Sequence, residues 1–339
     1  MKKSLLTLAA LTAFAGVASA QSSVTLFGIV DLSVNSAKNG ANSLKQLSSD
    51  QLNSNRLGFR GTEDLGGGMR AGFHIEGGMS PDNGTAGGQT WQRRSTVSLM
   101  GGFGEVRMGR DYTPSFWNYT IFDPFGTNGM GSSLNVVSTL GSGAGTLVRA
   151  NNTVGYILPG GVFGPGLYGQ VQFAAGEGAT GNKYFGGRLG YGAGPVNVAV
   201  AYGKTDKTGA MIDDYTDINF GGSFKMSFMS LMGTYSKRDY ATADQKSIML
   251  GLTVPFGQST IKAAYNTSSG SAKSLEASQI SFGYQYDLSK RTAIYATVSS
   301  LSNDGTTATG ARFTIGQGPA QTQGGQSSKG YNLGVRHSF

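Results

Sequence analysis

The sequence predicts an all-β chain that closes into a 16-stranded antiparallel transmembrane β-barrel. Three observations carry this. Apolar and polar residues alternate in one segment after another along the chain. The joins between segments alternate between short and long. After an N-terminal export signal, no stretch approaches the roughly 18 apolar residues that a membrane helix needs. Lipid admits only helices and closed barrels, because every backbone donor and acceptor must be paired there. An exported, strand-rich chain without such a helix is therefore a soluble all-β protein or a closed barrel.

Met1, Lys2 and Lys3 make a basic start, Leu5 to Val17 an apolar run, and Ala18-Ser19-Ala20 a small-x-small end. That is the order of a secretory signal peptide, with an apolar part too short to span a bilayer. Residues 1–20 are expected to be cleaved, leaving one domain, 21–339.

The first strand is Val24–Val34, with Val24, Leu26, Val30 and Leu32 on one face. The second, Ser54–Glu63, alternates Leu57 and Phe59 with Arg56, Gly58 and Arg60. The third, Met69–Gly77, sets Met69, Ala71, Phe73 and Ile75 against Arg70, Gly72, His74 and Glu76; the fourth, Trp91–Met100, sets Val97 and Leu99 against Arg94, Thr96 and Ser98. Further strands are expected near 104–110, 151–158, 166–174, 183–191, 195–204 and 213–221, then 224–236, 246–254, 258–266, 277–286, 290–300 and 329–339. The total is even, as a bacterial single-chain barrel requires.

Short joins are expected at 64–68, 101–102, 159–165, 192–194, 221–222, 255–257 and 287–289. Longer polar ones are expected near 35–53, 79–90, 111–150, 175–182, 205–212, 237–245, 267–276 and 301–328, the last with a local strand between Ala311 and Ile315. A sandwich gives no reason for joins to alternate in this way, whereas short turns opposite long loops characterise membrane barrels. Tyr331, Leu333, Val335, His337 and Phe339 share one parity and make a closing strand.

The apolar set would face lipid. Arg56, Arg60, Arg70 and Arg94 fall on the other face of consecutive strands. At mid-depth in lipid each would cost about 2–4 kcal/mol, so they belong in a wet lumen. Sixteen strands enclose an aqueous lumen rather than a packed core. Arg107 and Arg110 have opposite parity, so only one of them is expected to line the pore. Tyr156, Phe173, Tyr191, Tyr202, Tyr265, Tyr284 and Tyr295 are candidates for interfacial girdles.

Composition narrows the function. Without Lys2 and Lys3 there are 25 basic residues against 19 acidic ones, a formal +6. The arginines are scattered through strands of an exported chain rather than gathered in a run, so no nucleic-acid partner is expected; the balance fits a pore lining that favours anions. The absence of cysteine excludes thiol catalysis and disulfide stapling. His74 and His337 are the only histidines, and no G-x-S-x-G or H-E-x-x-H motif occurs. An enzyme is not expected, nor a cofactor or transition metal; scattered carboxylates leave a loop Ca²⁺ site open.

Ser23-Val24-Thr25-Leu26-Phe27-Gly28, the run Ser54-Asn55-Arg56-Leu57-Gly58-Phe59-Arg60-Gly61-Thr62-Glu63-Asp64-Leu65-Gly66, Gly109-Arg110 and the final Phe339 follow one another in order. With the signal and the strand count, the mature chain resembles the general diffusion porins of Gram-negative bacteria, especially the β-proteobacterial ones. The resemblance implies a homotrimer in the outer membrane among lipid and lipopolysaccharide, with periplasmic short turns and extracellular long loops. It also implies a third long loop, 111–150, folded into the lumen, with Asp123 in Phe122-Asp123-Pro124-Phe125-Gly126 as an acidic constriction tip facing the arginines. Phe339 resembles the family's signal to the barrel-assembly machinery. Trimer contacts would use the first and last strands and the loop near 79–90, although apolar bands serve lipid or a partner barrel equally.

The function this implies is passive diffusion of small hydrophilic solutes and ions, with anions preferred. The alternative is a substrate-selective channel for a phosphate, carboxylate or sugar, which would show saturable block by its solute. A structural adhesin or anchor would show no conductance steps at all.

Overall fold

The computed structural model describes residues 23–85, 90–161 and 164–339; the expected signal, 1–20, lies outside the described residues. The strands in chain order are β1 (Ser23–Asn39), β2 (Asn42–Ser49), β3 (Arg56–Gly66), β4 (Met69–Gly78), β5 (Arg94–Gly101) and β6 (Gly104–Tyr112). Next come β7 (Arg149–Ile157), β8 (Leu167–Ala174), β9 (Tyr184–Ala193), β10 (Val196–Thr205), β11 (Tyr215–Lys225) and β12 (Ser230–Tyr240). The last are β13 (Ala243–Phe256), β14 (Ser259–Gly270), β15 (Ala277–Asp287), β16 (Thr292–Asn303) and β17 (Ser328–Ser338).

All pairings are antiparallel between chain neighbours, and β17 returns to pair with β1. β2 and β3 lie end to end along β1, from Asn39↔Asn42 to Leu32↔Ser49 and from Ile29↔Arg56 to Ser23↔Thr62. They are two halves of one barrel strand broken at 50–55, so the closed barrel has sixteen strands. Closure leaves no free edge, which is the condition for strands in lipid. Among the described residues no helix is long and apolar enough to cross a membrane.

Four boundaries depart from the sequence reading. The loop expected at 35–53 is instead a hairpin turning at residues 40–41, with Gly40 at φ +59°, followed by the break at 50–55. The loop expected at 237–245 is a two-residue turn at 241–242. In both places the strand continues with polar residues on both faces, as in Ser236-Lys237-Arg238-Asp239-Tyr240. Beyond the lipid band an outward face need not be apolar, so the period-2 signal fades while the ladder continues. The turn expected at Gly221–Gly222 lies at 226–229, closed by Met226 N–H donating to the Met229 carbonyl at 2.7 Å. No strand forms between Ala311 and Ile315. With these changes seven joins fall at one end of the barrel and eight at the other, the longest being 113–148.

One face of the wall carries large exposed apolar side chains, among them Phe220, Leu250, Phe282 and Leu333. The other is polar and largely buried, with Asn219, Gln245, Ser281 and Asn332. The Tyr295 side chain lies on this polar face, buried, where its hydroxyl donates to Asp31, so it is not a girdle residue. Asp31 also accepts the N–H groups of Leu52 and Asn53 at 2.7 and 2.6 Å and so fixes the strand break.

Residues 113–148 contain a helix that the sequence did not announce, α1 (Pro114–Ile121), with proline in its first turn. An eight-residue helix is marginal alone, and contacts hold this one in place. Asn118 donates to the Ala199 carbonyl at 3.2 Å, and Asn219 donates to the Ser115 carbonyl at 3.2 Å. The Tyr119 hydroxyl donates to Asp217 at 2.9 Å and accepts from Arg238, which is itself fully buried. Phe122, also fully buried, lies over Gly221, where a β-carbon would collide with its ring. Pro124 lies over Gly251 and Phe125 over Gly283. Farther on, Ser54 donates to Asn128 at 2.7 Å, so the segment meets the break in the second barrel strand. Met130 and Val136 join Ala37, Ala277, Leu301 and Ile315 in an apolar cluster that ties 113–148 to the 304–327 loop and the wall.

Candidate functional site

Three strand ends bring three guanidinium groups together. Arg56 opens β3, Arg93 immediately precedes β5, and Arg149 opens β7. Glu76, on β4, is their shared carboxylate: Arg93 Nε lies 2.5 Å and Arg56 Nη1 3.4 Å from Oε1, while His74 Nε2 lies 3.2 Å from Oε2. Tyr112, the last residue of β6, accepts from Arg93 Nη2 at 3.2 Å and from Arg149 Nη2 at 2.9 Å. The Arg149 guanidinium also stacks 4.4 Å above the Tyr112 ring centroid. Backbone carbonyls complete the arrangement, with Arg149 Nε on Arg93 O at 2.8 Å and Arg56 Nε on Ser54 O at 2.9 Å. Arg56 and Arg93 share the Glu76 carboxylate, with Asp50 also near them, while Arg149 is held beside them by Tyr112 and makes no ion pair among the described residues. The three arginines line a cavity of about 420 Å³ together with Thr120, Thr127 and Asn128 of the following loop.

A second basic group extends toward the Gly67–Gly68 turn, with Arg60 four residues beyond Arg56 on β3 and Arg94 opposite Glu76. Arg94 lies 3.7 Å from Asp111, and Arg107 lies 2.7 Å from Asp111 and 2.8 Å from Glu105. Arg60 stands 5.3 Å from the Phe27 ring centroid. Arg60, Arg94, Arg107 and Glu105 share a cavity of about 340 Å³ with His74, Thr96 and Ser98.

The candidates are distributed unevenly. Arg56 belongs to the first cluster; Arg60, Arg94 and Arg107 belong to the second. Arg70 is exposed at the start of β4, paired across from Asp64. Arg107 pairs with Ser98 on the polar face, whereas Arg110 pairs with Ser95 on the face of Val97 and Leu99. Arg110 donates instead to Gln92 O and Asn151. A register shift between Gly109 and Asp111 turns Asp111 back to the arginines.

Asp123 is not brought to the arginines. Its carboxylate accepts the N–H groups of Phe125 at 2.8 Å, Thr127 at 3.3 Å and Ser133 at 2.8 Å. Burial pushes this carboxyl above the usual range despite those bonds. Phe339 closes the seam: its N–H donates to Gly28 O at 3.1 Å, its carbonyl accepts Gly28 N–H at 3.0 Å, and its ring covers Gly28.

Arg93, Arg149, Tyr112 and the carboxylates of Glu105 and Asp111 escaped the sequence reading. Arg93 shares its parity with the apolar Val97 and Leu99 of the expected fourth strand, Arg149 precedes the run expected at 151–158, and their adjacency is set by register across β5, β6 and β7. Among the described residues no group of histidine, aspartate and glutamate is placed to hold a metal ion.

A closed sixteen-stranded barrel with an apolar face, a polar face and a basic cavity defines an outer-membrane porin. Residues 7–306 match the family described as Gram-negative porin, and the chain belongs to it. It is 38% identical to outer membrane porin protein 32 of Delftia acidovorans over 354 residues, covering all of both chains. It is 29% identical to an outer membrane porin protein of Bordetella pertussis, over 89% of this chain and 95% of that one. Among solved structures, the anion-selective porin from Comamonas acidovorans superposes with a TM-score of 0.84 at 33% identity, over 94% of this chain and all of that one.

Proposed function

We propose that the chain forms a water-filled channel for passive diffusion of small hydrophilic solutes and ions across the outer membrane, with anions preferred. The observation that carries this is the cluster of Arg56, Arg93 and Arg149, held by Glu76 and Tyr112, that lines one cavity. Guanidinium charge in excess of carboxylate, set in a narrow lumen between low-dielectric walls, favours anions and repels cations. Cation–π stacking and carbonyl bonds keep these long side chains extended into the passage. The similar porin from Comamonas acidovorans is described as anion-selective, which supports the same reading.

In this reading the polar face lines the lumen and segment 113–148 is folded inward, forming the wall opposite the arginines. Its contacts with Ala199, Asp217 and Gly221, all on the polar face, support that placement. Asp123 then acts by shaping the loop, and the carboxylate paired with the constriction arginines is Glu76. The barrel works as a homotrimer, with its short turns periplasmic and its long loops extracellular, after loss of residues 1–20. Phe339 serves the assembly machinery before it closes the seam.

The test replaces Arg56 and Arg93 by glutamine and measures reversal potential under a KCl gradient in planar bilayers. The pair should lower the chloride-to-potassium permeability ratio several-fold. An unchanged ratio would remove the cluster from the selectivity mechanism.

A further inference from the structure

The second cavity has a feature the first lacks. Arg94 and Arg107 are held by Asp111 and Glu105, and Glu105 also accepts from Ser98 at 2.6 Å. The Arg60 side chain has no ion pair and no hydrogen bond among the described residues; its guanidinium stands against the Phe27 ring. It nevertheless shares the cavity with the hydroxyls of Thr25, Thr96 and Ser98. A planar fork of donors left free near the Thr25 and Thr96 hydroxyls, whose protons are not committed elsewhere among the described residues as Ser98's is to Glu105, is matched by an anion that presents two or more oxygens.

Its position is also defined. Arg56 and Arg60 project from the same face of β3 four residues apart, so their backbone positions lie about 13 Å apart along the strand. Arg60 lies on the side of the Gly67–Gly68 turn, as does Glu105 beside the turn at 102–103.

We infer that the cavity around Arg60 is a second anion station, on the short-turn side of the Arg56–Arg93–Arg149 cluster, at which small oxyanions dwell on their way through. The inference rests on the channel reading and adds to it a solute class. Chloride, with no oxygens to match the fork, passes the station freely. An oxyanion pauses there, and so interrupts chloride current while it remains.

Single channels in KCl, probed with inorganic phosphate added to one side and then the other, test this. In the unaltered protein phosphate should reduce chloride current from both sides, with relief at high voltage because the blocker passes through. Arg60→Gln should weaken block from the short-turn side several-fold while block from the loop side persists. Arg60→Lys, which keeps the charge but not the fork, should retain chloride preference and still lose most of the short-turn-side block. Phosphate block unchanged from both sides in either variant, in channels that still prefer chloride to potassium, would overturn the station and leave the channel reading standing. Potassium-preferring unaltered channels would instead overturn the channel reading. Should Arg60→Gln fail to give heat-modifiable barrels on gels, the lysine variant decides the question alone.

Discussion

Asp123 is a carboxylate surrounded by the N–H groups of its own loop. Phe125, Thr127 and Ser133 all donate to it, so its role is to hold the turn rather than to face a solute. Removing the acceptor orphans buried donors at about 1–3 kcal/mol each, far more than a surface charge is worth. Asp123→Ala should therefore loosen the loop, giving noisier single-channel currents and a changed mean conductance, with little effect on the sign of selectivity. A quiet channel of unaltered conductance would show that the loop does not depend on this residue. Arg238 and Asp217 pose a related case. Breaking a buried pair typically costs about 3–5 kcal/mol because one charge is left stranded, and here Tyr119 of the loop would lose its anchor as well. These roles were illegible in the sequence. Asp123 reads there as an acidic loop tip, and nothing in its neighbours' identities reveals that three N–H groups converge on it.

At the scale of elements, segment 113–148 and the wall were shaped for each other. Gly221 leaves room for the Phe122 ring, and a β-carbon there would collide with it. Gly221→Leu should leave the barrel intact, since the strand ladder on both sides of residue 221 is continuous, but push the loop off the wall. The expected outcome is altered conductance with unaltered heat-modifiable mobility on gels; a conductance identical to that of the original chain would contradict the packing. The same glycine misled the sequence reading, because a Gly-Gly pair between two alternating runs is ordinarily a turn. The 206–214 loop offers a pH test. A hydrogen bond from Lys183 holds the Asp206 carboxyl, and one from Lys204 the Asp214 carboxyl, below the ordinary value of 3.8. Depressed carboxyl values give a stabilising contribution that is complete above that value and lost as pH falls through the folded-state value. Amide protection factors in 206–214, taken against the intrinsic rate at each pH, should therefore hold at about pH 5 and fall only in stronger acid; equal protection at both would mean that the lysine clamps contribute nothing.

For the whole molecule, alternation and the rhythm of joins were enough to reveal the barrel, because lipid enforces period 2 wherever a strand crosses it. The reading weakened where the strands rise beyond the lipid band, as around Ala41 and Thr242, since that constraint is absent there. The site was legible only in part. Arg56, Arg60, Arg94 and Arg107 were visible as a polar stripe, whereas Arg93 and Arg149 join Arg56 only through the register of neighbouring strands. Register thus turns isolated arginines into a field. The most direct measurement is the zero-current potential of the purified protein in a planar bilayer under a KCl gradient. Stepwise conductance with a potential of the sign set by chloride is the expected result. Steps with a potassium-signed or vanishing potential, or no steps at all, would contradict an anion-preferring channel.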